Sequence, residues 1–128
     1  MRLSGAFLAE EAATVDNKLN VQGGVLSRFV LAPDRVARFT LVVLTLPDGD
    51  DSDQRVDVEI TSPTLDAPLR TSFEAPNAAL GEFPGFAFFG IDVRLPSDGR
   101  FVMDVTCGGA GVSLPLVVSS WAPPPSGI

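Results

Sequence analysis

The 128-residue chain contains no histidine and no tyrosine, and it has a single cysteine, Cys107. Without histidine, neither a Ser-His-Asp nor a Cys-His catalytic arrangement can form. A structural zinc site is excluded by ligand count, because its four ligands come largely from cysteine and histidine. One cysteine also cannot form an internal disulfide. These absences remove most catalytic chemistry, so we expect the chain not to be an enzyme and to need no cofactor.

Positive charge is also scarce in this sequence. Nine basic residues, of which Lys18 is the only lysine, stand against sixteen acidic ones, and the formal net charge is −7. Nucleic-acid binding therefore lacks its basic patch, and an anionic membrane surface would repel the chain. No apolar run approaches the roughly 18 residues that span a bilayer, and residues 1–11 lack a signal-peptide core. We expect a cytoplasmic protein that binds neither nucleic acid nor membrane.

The pattern that the sequence does contain is alternation with a period of two. Eight stretches alternate apolar and polar residues, and turn residues separate them; residues 55–61 are the clearest case. Short alternating strands between turns predict an all-β fold, and no stretch shows sustained helical spacing. We expect one domain over 1–121, an antiparallel two-sheet β-sandwich with a partly open barrel as the alternative. The proline-rich tail, 122–128, is expected to be disordered.

Three segments carry signals about their place in the fold. Residues 35–46 are apolar on both faces after Phe39, which predicts a central strand or one that covers a second apolar patch. Cys107 shares a strand face with Phe101, so we expect a small buried hydrophobe and not a reactive thiol. Pro115 cannot donate to a β-ladder, so its strand should lie at a sheet edge or contain a bulge.

An acidic loop follows residues 35–46. Four carboxylates and a glycine fall within six residues and offer the hard oxygen ligands that calcium takes. The four are Asp48, Asp50, Asp51 and Asp53. The EF-hand spacing does not fit, because no glutamate closes a 12-residue loop and no helices flank it. A solvated acidic loop is the simpler interpretation, so we expect no metal and keep calcium as the alternative.

Three phenylalanines are the main candidates for an interface. Phe86 and Phe88 have the opposite strand parity to the apolar series that starts at Phe89, so they should point to the opposite, solvent-facing side. Phe83 lies just upstream, in the loop 75–85. An exposed apolar patch of this kind marks an interaction surface. The alternative is that the loop covers these side chains or that a bulge changes their register.

Trp121, which follows the last strand, has two interpretations. It either closes the end of the sandwich or forms a stacking platform for a ligand such as a sugar. In the second case, Trp121 and the loop 75–85 would form a small-ligand pocket. A further alternative is an enzyme that works with carboxylates alone, since a pair of them can catalyse hydrolysis without histidine.

Four segments carry a resemblance to a known family through structural motifs of low specificity. Residues 6–10 and 17–24 form a short strand and a Lys-Leu-Asn segment with glycines, 95–101 form a proline-glycine-aromatic turn, and 114–117 a closing strand. Together they resemble an uncharacterised bacterial family of about this length, frequent in actinobacteria. Similar turn-and-strand endings occur in immunoglobulin-like sandwiches. The resemblance implies a cytosolic, immunoglobulin-like β-sandwich, and it carries over no catalytic or binding residue.

These observations favour a non-enzymatic interaction module. It would bind a protein partner or a second copy of itself as a homodimer. The contact would use the surface of Phe83, Phe86 and Phe88 or an exposed sheet edge, because an unpaired edge is a template for another strand.

Overall fold

The computed structural model describes residues 1–47, 54–76 and 85–121, and within these ranges the chain is all-β, as predicted. The ten strands of the described ranges are β1 (Arg2–Ala9), β2 (Glu11–Val15), β3 (Lys18–Gln22), β4 (Arg28–Leu31), β5 (Val36–Leu46), β6 (Arg55–Thr61), β7 (Leu69–Glu74), β8 (Gly85–Arg94), β9 (Gly99–Cys107) and β10 (Ala110–Ser120). The described ranges contain no helix with the length and apolar character needed to cross a membrane.

The strands are arranged in three sheets, one of which is curled into a half-barrel. The first sheet has the order β1-β5-β8, the second β4-β10-β9-β6-β7, and the hairpin β2-β3 forms the third. All pairs are antiparallel except β4 and β10, which run in parallel from Val117 onward. The expectation of two antiparallel sheets is wrong in two respects: the hairpin β2-β3 forms a third sheet, and β4 enters beside the last residues of β10 and runs in the same direction.

Two tight turns follow directly from their residue types. Asp16 and Asn17, with φ of 52° and 62°, join β2 to β3, and Gly108 and Gly109, with φ of 62° and 77°, join β9 to β10. Two-residue hairpin loops of type I′ need positive φ at both positions, which these residue types tolerate. Lys18 directly follows the first of these turns and is the first residue of β3.

One buried cluster joins the three-stranded and the five-stranded sheet. Leu41 of β5 and Phe101 of β9 are both within it, at 0% and 1% exposure. Because β5 lies between β1 and β8, the prediction of a central strand for 35–46 is confirmed. Cys107 is 3% exposed in the same cluster, as expected for a small buried hydrophobe.

Pro115 lies in a part of β10 that has only one paired side. Its partner on β9 is Val102, while β4 joins the opposite side only from Val117. The Val117 amide donates to Ser27 O on the β4 side, so the nitrogen of Pro115, two residues earlier, faces that same side. The N–H that proline lacks would therefore point to a part of β10 that β4 has not yet joined. The prediction of an edge or bulged strand is wrong for β10 as a whole, which lies between β4 and β9 without a bulge, because β4 joins it only after Pro115.

Candidate functional site

The outer face of the three-stranded sheet carries a group of apolar side chains that we call the aromatic face. Phe7 of β1, Val42 of β5 and Phe88 of β8 lie side by side in register, and Leu44 lies opposite Phe86. None of the five belongs to the buried cluster between the sheets. Val42 has no exposed surface, and the other four are half-buried. The sheet therefore has a second apolar face, turned away from the core.

The predicted parity of Phe86 and Phe88 is confirmed. The inward positions of β8 belong to Ala87, Phe89 and Ile91, which contribute to or pack against the buried cluster. The register of β8 with β5 is unbroken, so Gly85 introduces no bulge there. Phe86 and Phe88 are half-buried, so they are less exposed than the solvent-facing patch that the sequence predicted. Their role at an interface stays a prediction. Phe83 lies outside the described residues.

The two sides of the aromatic face differ in what covers them. On the β1 side, a side-chain carbon on Gly24 would lie 3.3 Å from the Phe7 ring and 3.6 Å from Ala9. Val21 of β3 is also within 2.9 Å of that carbon, so the hairpin β2-β3 and the segment after it lie over this side. On the β8 side, no described element pairs beyond β8.

The β8 strand is an edge strand over its ten described residues. Leu95 directly follows β8, and its amide donates a hydrogen bond to Arg35 O at 2.9 Å. The backbone N–H and C=O of residue 95 therefore face β5. Successive residues alternate direction, so the backbone groups of the odd-numbered positions of β8 face β5. The even positions face outward: Phe86, Phe88, Gly90, Asp92 and Arg94. Within the described ranges their outward amides and carbonyls have no strand partner.

A groove of about 470 Å³ separates β8 from β7, the edge strand of the other sheet. Leu69, Phe73 and Ile91 supply much of its apolar lining. Phe73 and Phe89 stack across one part of the gap, with ring centroids 4.8 Å apart and an interplanar angle of 15°. The two sheets are thus bridged on this side by side chains, without a ladder between β7 and β8.

Trp121 does not close the end of the fold, since it is 56% exposed. Its amide donates to Leu31 O at 2.8 Å, and its side chain lines an open, mainly apolar depression of about 490 Å³ with Val30 and Pro33. The loop 75–85 begins and ends at the end of the strands opposite to Trp121. The Ala75 amide donates to Gln54 O beside the start of β6, and Gly85 pairs with Thr45 near the end of β5. The described residues therefore do not bring Trp121 and that loop together.

A polar cluster beside Trp121 ties two turns to the end of β10. The Arg35 guanidinium donates to Asp98 Oδ1 at 2.7 Å, to Ser120 Oγ at 2.7 Å and to Leu95 O at 2.9 Å. Asp98 also accepts the Ser120 amide at 3.0 Å. The Arg35 side chain is only 21% exposed, and its backbone has φ of 62°. The cluster joins the β4-β5 turn, the β8-β9 turn and the end of β10, so it is a structural clamp.

The clamp gives the protein an acid-sensitive contact. Hydrogen bonds from Arg35, and then from Ser120, hold the pKa of Asp98 below its ordinary value. A carboxyl whose pKa is lower in the folded state stabilises the fold above the unfolded pKa, and that stabilisation is lost as pH falls through the folded value. We expect stability to fall as the pH drops below about 4, the ordinary pKa of aspartate.

The variant Asp98→Asn isolates this contribution to the pH dependence. It should lower the urea midpoint at pH 7 and reduce the loss of stability between pH 5 and pH 2.5 relative to the native chain. Urea titrations at the two pH values measure both effects. An unchanged pH dependence in the variant would show that the Asp98 carboxylate does not contribute to it.

Two carboxylates outside the clamp, Glu59 and Asp104, have partners of their own. Glu59 and Asp104 lie directly opposite each other on β6 and β9, where Glu59 accepts from Arg70 Nε at 2.9 Å and Asp104 from the Ser113 hydroxyl. An enzyme that works with carboxylates alone needs two of them close together, and Glu59 and Asp104 form such a pair on the outer face of the sheet. Asp48, Asp50, Asp51 and Asp53 lie outside the described residues, so calcium binding there stays an alternative.

Two features of the described structure were not predicted from the sequence. The outward backbone edge of β8 was not predicted because strand order depends on pairing between distant segments. A local signal did exist: Gly90 lies inside a largely apolar strand, and a glycine there often marks a place where another backbone approaches closely. The Arg35 clamp was missed because its three parts are 63 and 85 residues apart along the chain.

Scans against protein-family models, curated proteins and solved structures find no match to this chain.

Proposed function

We propose that this chain is a non-enzymatic interaction module that associates with a second copy of itself through the β8 side of the aromatic face. The observation that carries the proposal is the asymmetry of that face. Its β1 side lies under Gly24 and Val21, whereas Phe86 and Phe88 have no described element beyond them. Contiguous apolar surface and aromatic side chains are typical of protein interfaces. A second copy is the simplest partner, because one patch then serves both sides of a two-fold contact.

We also propose that the fold is an immunoglobulin-like sandwich. The order β1-β5-β8 corresponds to strands A, B and E of that fold, and the order β10-β9-β6 corresponds to G, F and C. These strands also follow one another along the chain in the immunoglobulin order. Membership of the bacterial family resembled at the chain ends, and a cytoplasmic location, stay predictions alongside this one.

The variant Phe88→Asp tests the proposed surface. A charge at this position has to be desolvated in the dimer, so we expect the dissociation constant to rise about 30-fold or more, the scale of an interface hot spot. Light scattering during size-exclusion chromatography, over a dilution series, measures it. The matched control is Val30→Asp, which places the same charge at a 57% exposed valine of the other sheet.

The outcomes separate the proposal from general destabilisation. A dimer that Phe88→Asp weakens and Val30→Asp leaves intact supports the aromatic face. Equal effects of the two substitutions, or a dimer that neither one weakens, would place the contact elsewhere. Thermal unfolding of both variants checks that each remains folded at the temperature of the measurement.

The exposed Trp121 favours a second candidate, a small-ligand module. An indole that is 56% exposed beside Val30 and Pro33 offers an apolar stacking surface. Trp121 is the only tryptophan, so the intrinsic indole fluorescence reports this site alone. If the site binds sugars, a panel of mono- and disaccharides should change that emission saturably, and Pro33→Asp should weaken the response. Emission that no sugar changes would argue against this candidate.

A further inference from the structure

The edge of β8 has a sequence that suits pairing with itself. Its five outward positions, all even-numbered, present amides and carbonyls, and none of them is proline. Natural edge strands are usually blunted by proline, charged side chains (lysine above all) or a bulge. β8 has no proline, no lysine and no bulge, and its two charged outward residues, Asp92 and Arg94, have opposite signs and lie at one end of the strand. The ten-residue strand is also long for an edge. It therefore retains a complete template for one more antiparallel strand.

Gly90, at the middle of the outward series, is the least expected residue in this edge. Glycine in a strand interior costs about 0.5–1 kcal/mol relative to alanine. Its φ is not in the left-handed region, and a side-chain carbon there would meet nothing within 4 Å. Neither backbone geometry nor crowding within the chain therefore requires glycine. A strand glycine often marks a place where another backbone approaches closely.

We propose that two copies pair edge to edge through β8, antiparallel, about a two-fold axis at Gly90. The inference rests on the proposed function and specifies the geometry of the contact. In this register Gly90 lies opposite Gly90 of the second copy, Phe88 opposite its Asp92, and Phe86 opposite its Arg94. All five outward positions then pair, with about ten backbone hydrogen bonds between the copies. The two three-stranded sheets become one sheet of six strands.

Side-chain chemistry favours this register over its neighbours. Each Phe88 ring lies diagonally across from the open space at Gly90 of the other copy, a distance that aromatic side chains bridge in antiparallel pairs. Each Phe86 faces an Arg94 guanidinium, which allows a cation–π contact. A register centred on Asp92 would instead set two carboxylates opposite each other. A register centred on Phe89 would pair only four of the five outward positions.

The net charge does not prevent this association. Both copies carry −7, so they repel each other at long range. Charges separated by more than about 8 Å are largely screened at physiological ionic strength. At the contact itself, each β8 contributes one Asp92 and one Arg94, and its outward positions are electrically balanced. A rise in salt from 50 to 300 mM should therefore strengthen the dimer or leave it unchanged.

Disulfide trapping reads out the register directly. Two opposed residues in a hydrogen-bonded antiparallel pair have Cα atoms about 5.5 Å apart, within the range that a disulfide spans. Gly90→Cys should therefore give a covalent dimer under mild oxidation. In the same register the Cα of Asp92 lies about 14 Å from the Cα of Asp92 in the second copy, so Asp92→Cys should not form a covalent dimer. The native chain, whose only cysteine is the buried Cys107, sets the baseline.

A second variant, Gly90→Pro, tests the backbone ladder. The amide of Gly90 faces outward, so proline removes a donor from the free edge and leaves the ladder with β5 intact. We expect the dissociation constant to rise at least about tenfold, while circular dichroism still shows a folded β protein. Gly90→Cys accepts a side chain where nothing lies within 4 Å, so its result does not depend on the proline variant folding.

The outcomes distinguish this inference from the proposed function. Cross-linking of Gly90→Cys without Asp92→Cys supports the register. A dimer in solution whose Gly90→Cys variant does not cross-link, or whose Asp92→Cys variant cross-links equally well, overturns the register and leaves self-association standing. A chain that is monomeric at every concentration tested overturns both.

Discussion

Replacing Phe101 with alanine should lower the free energy of unfolding by about 3–5 kcal/mol, the cost of emptying a buried aromatic site. Among the residues that the structure describes, Phe101 is the largest fully buried side chain, at 1% exposure, and it lies opposite Leu116 in the centre of the five-stranded sheet. Domains of this size are stable by only about 5–15 kcal/mol, so the loss is a large fraction of the total. Urea titration or thermal unfolding measures it, with a fall in Tm of about 10–20 °C.

Val117→Ala is the matched control for this core substitution. Val117 lies on the same sheet but is 37% exposed, so its truncation should cost within about 0.5 kcal/mol. A cost for Phe101→Ala near that of Val117→Ala would contradict the position of the core between the two large sheets. The comparison therefore tests the packing of the sheets and not only the stability of the chain.

The second large effect is expected at the turn between β9 and β10. Gly108→Ala should destabilise the fold by about 2–4 kcal/mol, from an unfavourable left-handed φ together with a steric overlap. A side-chain carbon at Gly108 would overlap the Met1 carbonyl oxygen and come within 2.9 Å of Arg2 Cα. Both neighbours are backbone atoms, so they cannot move aside as a flexible side chain would.

Gly109 supplies the control, because it shares the turn and the sign of φ. Its φ is 77°, but a side-chain carbon there would meet nothing within 4 Å. Gly109→Ala should therefore cost only the conformational penalty of about 1–2 kcal/mol. Urea midpoints of the two variants give the comparison. Equal losses would show that the start of β1 does not pack against this turn.

Local patterns predicted much of this fold, and their failures have physical causes. The alternation in 55–61 and the face shared by Phe101 and Cys107 were predicted correctly, since burial on one side of a strand imposes a period of two. β2 was missed because its residues are mostly exposed and no core imposes that period on them. It pairs with β3 because the turn at Asp16 and Asn17 folds the chain back on itself.

The candidate surface was predictable only in part. The opposite parity of Phe86 and Phe88 is a local property of β8, so the sequence was sufficient to place them on the outer face. That Val42 and Phe7 flank them depends on the register of three strands far apart in sequence. The exposed position of Trp121 also depends on tertiary packing, because a tryptophan after a final strand is compatible with either a covered or an open end.

The proposed immunoglobulin-like arrangement gives a reason for the proposed contact at β8. If β1-β5-β8 corresponds to strands A, B and E, as we propose, the same sheet of a constant-type domain has a fourth strand, D, beside strand E. In the described part of this chain, the place beside β8 has no strand. The proposed dimer fills that place with β8 of a second copy. The aromatic face and Gly90 would then have one common explanation.

The most direct test of this account is the mass of the native chain in solution, by light scattering during size-exclusion chromatography over a dilution series. The account predicts a concentration-dependent dimer of twice the 13.4 kDa chain mass, which Phe88→Asp converts to monomer and Val30→Asp does not. A mass of one chain at every concentration, up to the highest that remains soluble, would contradict self-association through β8.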